Sequence, residues 1–225
     1  MNTKKWSAMA ALALCLCAVQ QHAVAGLAEG MAAMQKTDYG VALKELTPEA
    51  ERGNAEAQFQ LGTLYGQGLG VDQDAVAAFK WNQMAANAGN AGAQYQIATM
   101  YKKGEGVPQD NALATQWLRK SADGRYALAL QDLGSAYQSG AGVKADKLLA
   151  LALFNLSNFS DNLSPNKKIS SSFVLAKDLT GTEVKRSWTI FCVLGNAKSL
   201  ISALDAYVAN PKGIPANACA ANSAK

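Results

Sequence analysis

A register of 36 residues runs three times through the stretch from Gly53 to Phe154 without insertion or deletion. Gly53-Asn54-Ala55-Glu56-Ala57-Gln58 returns as Gly89-Asn90-Ala91-Gly92-Ala93-Gln94, and 89 − 53 gives the step. The same step carries Leu61 to Ile97 and Leu133, and Tyr65 to Tyr101 and Tyr137. It carries Gly68-Leu69-Gly70-Val71 to Gly104-Glu105-Gly106-Val107 and Gly140-Ala141-Gly142-Val143. Asp74, Asp110 and Asp146 follow, then Ala78, Ala114 and Ala150, while Trp81 maps to Trp117 and then to Leu153. A fixed period of this length marks stacked units, each burying its apolar face against the next.

Each unit reads as two helices. In the first copy Ala57, Leu61, Leu64 and Tyr65 fall on one face of a helix A,. Gly-x-Gly-Val ends it, because glycine can take the left-handed conformation that closes a helix and opens a turn. Asp74 stands where its carboxylate can accept from the free N–H groups of the following helix. Helix B then sets Ala75, Ala78, Phe79, Asn82, Ala85 and Ala86 to one side. The alanines let backbones approach, and Tyr and Trp fill the wider gaps.

These residues carry a resemblance. The pattern Ala57-Gln58, Leu61-Gly62, Tyr65, Gly68, Gly70-Val71, Asp74, Ala78, Trp81 and Ala85-Ala86 is similar to the Sel-like repeat (SLR) family, a branch of the tetratricopeptide-like α-solenoids. The second copy departs only at Ile97-Ala98 and Ser121-Ala122. In the third, Leu130 replaces the glutamine and Leu153 the tryptophan. Arg125 stands where glycine is expected, with Gly124 one place early, which leaves the turn into this copy open.

The resemblance implies an all-α, right-handed α/α superhelical solenoid. It also implies non-catalytic protein–protein interaction, as adaptor or scaffold, with a partner in the concave face lined by the A helices. Carried over by position, the exposed helix A residues are Glu56, Phe59, Gln60, Thr63 and Gln67 in the first copy. They are Tyr95, Gln96, Thr99 and Lys103 in the second, then Gln131, Asp132, Ser135 and Ser139 in the third. Phe59 and Tyr95 are equivalent; they read either as aromatic anchors for a protein or peptide or as rings packed between neighbouring A helices.

The ends of the chain set its address and its chemistry. Residues 1–25 read as a cleaved secretory signal, with Lys4 and Lys5, an apolar run from Ala8 to Val19, and the A-x-A site Ala23-Val24-Ala25,. The run is too short to span a bilayer. Leucine before Cys15 and before Cys17 argues against lipid attachment. The expected location is therefore periplasmic or secreted. Cleavage removes His22, the one histidine, and lowers the charge from 21 − 17 = +4 to 19 − 17 = +2. That balance, without a basic aromatic stripe, argues against nucleic acid. Cys192 and Cys219 remain, and two cysteines in an exported chain are expected to pair,. The alternative is one buried and one loose thiol.

Around the repeats, residues 26–52 read as an N-terminal arm and capping half-repeat. Asp38 aligns with Asp74, and a bend is expected at Thr47-Pro48,. Residues 53–158 are the three repeats. Residues 159–209 form a degenerate helical cap. In it Ser164-Pro165 starts a helix, and Thr180 to Glu183 forms a capping box. Val184, Trp188, Phe191 and Cys192 are expected to face inward, followed by a stripe from Leu200 to Val208. Residues 210–225 are a small, polar, flexible tail.

Catalysis finds little support. Imidazole-based nucleophilic devices need a histidine that the processed chain lacks, and two distant cysteines make a poor metal set. Ser164-Pro165-Asn166-Lys167 matches S-x-x-K formally, but the companion motifs of penicillin-recognising enzymes are missing,. The Gly-x-Gly turns and Asp74, Asp110 and Asp146 recur with the period, as turns and equivalent caps do. No cofactor, metal or small-molecule ligand is expected. The rival readings are an enzyme acting on cell wall or β-lactams, and a structural subunit of a secretion assembly.

Overall fold

The computed structural model describes residues 26–158 and 179–213, all helix and turn. Two compact units, residues 1–88 and 89–225, divide the chain. Ala25, Cys219 and the helix expected from Ser164 onward lie outside the described residues.

The first unit holds a helix over 26–35 (α1), then α2 (Tyr39–Glu51), α3 (Ala55–Gln67) and α4 (Ala75–Asn87). Its core gathers Ala33, Ala42, Leu46, Ala50, Ala57, Leu61 and Leu64, with Leu27, Met34 and Trp81 packed on it. Small residues set the spacing. A Cβ on Gly30 would stand 2.6 Å from Leu46 Cγ, and one on Gly62 would stand 2.5 Å from the Asn82 amide nitrogen. The pair α1–α2 resembles a repeat with a shortened connection: three residues, 36–38, where the first repeat uses seven, 68–74. Thr37 makes the tight turn with φ 61°, and the Asp38 carboxylate accepts from Val41 N. The bend expected at Thr47-Pro48 does not break the helix, since helical residues continue through Pro48 to Glu51. Proline removes one internal donor, but the buried stripe Ala42, Leu46 and Ala50 holds the helix on both sides of it.

The second unit comprises α5 (Ala91–Lys103), α6 (Asn111–Asp123), α7 (Ala127–Ser139), α8 (Lys147–Asn158), α9 (Gly181–Asn196) and α10 (Leu200–Ala209). Its core is larger, running from Ala98 and Leu118 through Leu130, Leu133, Leu153 and Phe154 to Ile190, Leu194, Leu204 and Tyr207. Here too a glycine admits a neighbour: a Cβ on Gly134 would meet the Phe154 ring at 2.7 Å.

The turns follow the period. Gly68, Gly104 and Gly140 close α3, α5 and α7 in the left-handed conformation, each N–H bonding a carbonyl four residues back. The second glycine of each turn has positive φ as well, and at Gly142 space adds to the requirement. A Cβ there would fall 2.2 Å from the Asn111 carbonyl oxygen. Asp74 accepts from Val76 and Ala77 N–H, and Asp110 from Ala112 and Leu113 N–H. The turn into the third copy is regular, because Arg125 itself takes φ 57° where Gly53 and Gly89 take 92° and 91°.

The C-terminal helices depart from expectation in one respect. The capping box forms, with Thr180 N donating to Glu183 Oε2 at 2.8 Å and Glu183 N donating to Thr180 Oγ1 at 3.3 Å. The fully buried residues of α9, however, are Ser187, Ile190 and Leu194; of the expected stripe Phe191 packs on the core, Val184 and Cys192 are half-buried and Trp188 is exposed. Ser187 is small, and its hydroxyl is satisfied internally by the Val184 carbonyl at 2.7 Å. That face can therefore sit close to α8, and Trp188 stays 45% exposed, stacked edge-on against Phe191.

Candidate partner-binding face

Three equivalent positions on the A helices are threonine or serine, and each uses its hydroxyl in the same way. Thr63 donates to Phe59 O, Thr99 to Tyr95 O and Ser135 to Gln131 O, all at 3.1 Å. A hydroxyl bonded back to its own helix is held in place, and its lone pairs stay available to an incoming donor. In the first unit Phe59 and Gln60 are half-buried, with Gln60 Nε2 donating to Glu56 Oε1 at 2.7 Å. Phe59 is not among the side chains packed on the first core.

The second unit brings more of the expected residues together. Tyr95 packs against Tyr126 with ring centroids 5.4 Å apart and lies on the second core. Burial raises the Tyr95 phenol above its ordinary value, and the charge of Asp132 raises it further. Burial also raises that of Tyr126. Tyr95 therefore contributes packing as well as surface. Asp132 on α7 pairs with Lys102 on α5 at 3.5 Å. Lys103, the lysine expected on this face, pairs instead with Glu105 in its own turn at 3.4 Å. Gln96 and Gln131 flank this group half-buried, and Ser135 is exposed.

Asp132 and Ser135 also line a small cavity of about 80 Å³ between α5, α6 and α7. Its floor is Ala114, Leu118 and Ala136, and Thr115 is buried beside them, donating to Asn111 O at 2.9 Å and to Ala141 O at 3.2 Å. Lys102 and Ser139 complete the lining. Sequence reasoning missed Lys102, Thr115 and Tyr126. Tyr126 carried a readable signal, since it stands where Asn54 and Asn90 recur as side-chain helix caps, and it makes no such cap bond. Thr115 carried none, because α6 is a B helix read only for its core stripe, and Lys102 carried none, because it lies on α5 beside the positions carried over.

Other expected features are placed as follows. Among the described residues no group of three or more His, Cys, Asp or Glu side chains could hold a metal. No described helix is long and apolar enough to cross a membrane. Cys192 is disulfide-bonded. Its expected partner Cys219, and the Ser164–Lys167 tetrad, lie outside the described residues.

Helix-turn-helix units spaced by 36 residues and closed by glycine turns define an all-α repeat protein of the α/α-solenoid class,. A family model described as the Sel1 repeat matches residues 55–90, 91–126 and 127–157. The chain carries three Sel1 repeats over these residues. Two of the solved structures that resemble it are the following. One is a Sel1 repeat protein from Oxalobacter formigenes, with TM-score 0.57, 24% identity, and coverage of 80% of this chain and 67% of that one. The other is a protective antigen with an SLR fold present in uropathogenic Escherichia coli strains, with TM-score 0.55, 23% identity, and coverage of 86% and 49%. At these identities the likeness concerns the fold, and the chain spans only about half of the second protein. A comparison with curated proteins gave no match. Sel1 repeats generally act as scaffolds for protein–protein interaction and are typically non-catalytic.

Proposed function

We propose that this chain is an exported, non-catalytic adaptor that holds a segment of a partner protein on the A-helix face of its second unit. The contact surface there is Tyr95, Gln96, Thr99, Lys102, Gln131, Asp132 and Ser135. The observation that carries the reading is the cavity between α5, α6 and α7, apolar in its floor and edged by a lysine, an aspartate and hydroxyls. It has room for one small side chain, and the surrounding polar groups can bond a partner backbone. An apolar socket ringed by polar groups is the arrangement that concentrates binding energy in protein interfaces.

Export is supported by the signal-like residues 1–25, and the Cys192–Cys219 pairing belongs to the same reading. A photo-crosslinking side chain at Ser135, in intact cells, tests the face. A discrete adduct is expected from Ser135 and none from Gln116, an exposed position on α6. Lys102→Glu should abolish the Ser135 adduct. Equal labelling from both positions, or an adduct indifferent to Lys102→Glu, rejects the assignment.

A further inference from the structure

Glu49 is an unusual residue to find where it lies. It is only 3% exposed, in the stripe of α2 that also buries Leu46 and Ala50. A carboxylate so placed is costly unless it is paired. Its partner is Arg52, the residue that caps the end of α2, whose side chain is itself 53% exposed and so screened by solvent,. A second neighbour approaches from α1. A Cβ built on Gly26 would stand 3.1 Å from Glu49 Oε1 and 3.6 Å from the Glu45 carbonyl oxygen. The Gly26 nitrogen is bonded to the same α-carbon and so lies within roughly 5.5 Å of that carboxylate.

Gly26 is also the residue that follows the expected cleavage site Ala23-Val24-Ala25. We propose that removal of residues 1–25 creates an ion pair between the new α-ammonium of Gly26 and the buried Glu49 carboxylate, fastening α1 to α2. The inference rests on the reading of residues 1–25 as a cleaved signal. Hydrolysis of the Ala25–Gly26 amide replaces a neutral nitrogen carrying one N–H by an ammonium with three donors. An ammonium at a helix N-terminus opposes the helix dipole, and a carboxylate supplied by the neighbouring helix offsets that penalty. The Glu45 carbonyl offers a further acceptor. Glycine suits the position, because a side chain would be driven against the Glu49 carboxylate. Beyond the pair, Leu27 and Met34 pack on the core that holds Leu46, so fixing the first turn of α1 fixes the whole N-terminal cap.

The mass of the exported protein comes first. A mature chain that begins elsewhere than Gly26 removes the cleavage reading, and the proposal with it. With the Gly26 start established, the pairing is read from the rate at which cyanate carbamylates the α-amine near neutral pH. The native protein should react about tenfold more slowly than the same chain unfolded, the equivalent of one pKa unit. Glu49→Gln should remove most of that protection. If Glu49→Gln does not fold, a chain that retains Ala25 displaces the charge by one residue and should melt about 3 °C lower. An amine as reactive in the native protein as in the unfolded chain, or a one-residue extension that leaves the melting temperature unchanged, overturns the pairing even where cleavage is correct.

Discussion

The two units use one template and fill it differently. At the centre of the first repeat, Gln58 and Asn82 bury amides whose Oε1 and Oδ1 accept no hydrogen bond from the described residues. Two periods on, the same positions are Leu130 and Phe154, both in the core. The ends differ in the opposite sense. The N-terminal cap packs through apolar contacts such as Gly30 against Leu46. The C-terminal helices are docked by polar clamps. Asp123 accepts from Ser199 Oγ and from Ile201 N, capping α10 from another helix. Arg125 donates to the Leu194 and Ala197 carbonyls at the end of α9. Arg119 pairs with Asp205. Asp146 caps α8 through Leu149 N and accepts the Tyr207 hydroxyl on its other oxygen at 2.9 Å. Arg119, Asp123 and Arg125, which break the period, thus join the periodic Asp146 in ending the array.

Substitution at the equivalent core positions should break this comparison most visibly. Phe154→Ala is expected to cost about 4 kcal/mol, measured by urea unfolding at constant slope. A loss below about 1 kcal/mol would mean that the second core does not depend on its apolar centre.

The clamps come next. Tyr207→Phe removes a hydrogen bond to a carboxylate and should cost about 2 kcal/mol. Burial, and then the charge of Asp146, raise the Tyr207 phenol well above its ordinary range. A raised value in the folded state means that the contribution is complete below the unfolded phenol's value of about 10 and falls only as pH rises beyond it. The deficit of Tyr207→Phe should therefore stay level through neutral pH and shrink above about pH 10. A deficit that grew with alkalinity would contradict the geometry.

Arg125 separates backbone strain from docking. Both Arg125→Ala and Arg125→Gly lose the two carbonyl contacts, but only glycine takes φ 57° without penalty. The glycine variant should be the more stable of the two by about 1 kcal/mol. Equal stabilities would imply that the turn rearranges.

The smallest effect sharpens the comparison from the other side. Asn82→Leu, which gives the first repeat the residue that Leu118 supplies in the second, should change stability by no more than about 1 kcal/mol, toward stabilisation. A large loss would show that the buried amide holds the first repeat together.

Much of this architecture was legible in the sequence, for physical reasons that differ by element. The repeat helices could be read because glycine turns, aspartate caps and alanine stripes each have one local cause. Asp74 and Asp110 behave as expected, whereas Asp146 does not remain an equivalent cap, since its second oxygen serves Tyr207. The centre of the α9 face was misplaced because Val184 and Trp188 are more apolar than Ser187, while Phe191 packs on the core as expected. Close approach to α8 depends on size rather than hydropathy, and no local signal reports that. Of the candidate site, the row Thr63, Thr99 and Ser135 followed from the period. Lys102 and Thr115 did not, because they reach the cavity only once α5, α6 and α7 are assembled.

The clamps also constrain how a chain of this kind can lengthen. Arg119, Asp123 and Arg125 lie at the end of α6 and just beyond it, yet they hold α9 and α10 more than sixty positions later. A tandem duplication inserted ahead of α6 carries the terminal assembly along intact. One inserted between α7 and α8 separates Arg119, Asp123 and Arg125 from their acceptors and leaves the last helices held by α8 and the Asp146–Tyr207 bond alone. Growth by gene duplication is thus open on the amino-terminal side of α6 and closed on the other, so the final repeat and its cap form one hereditary block.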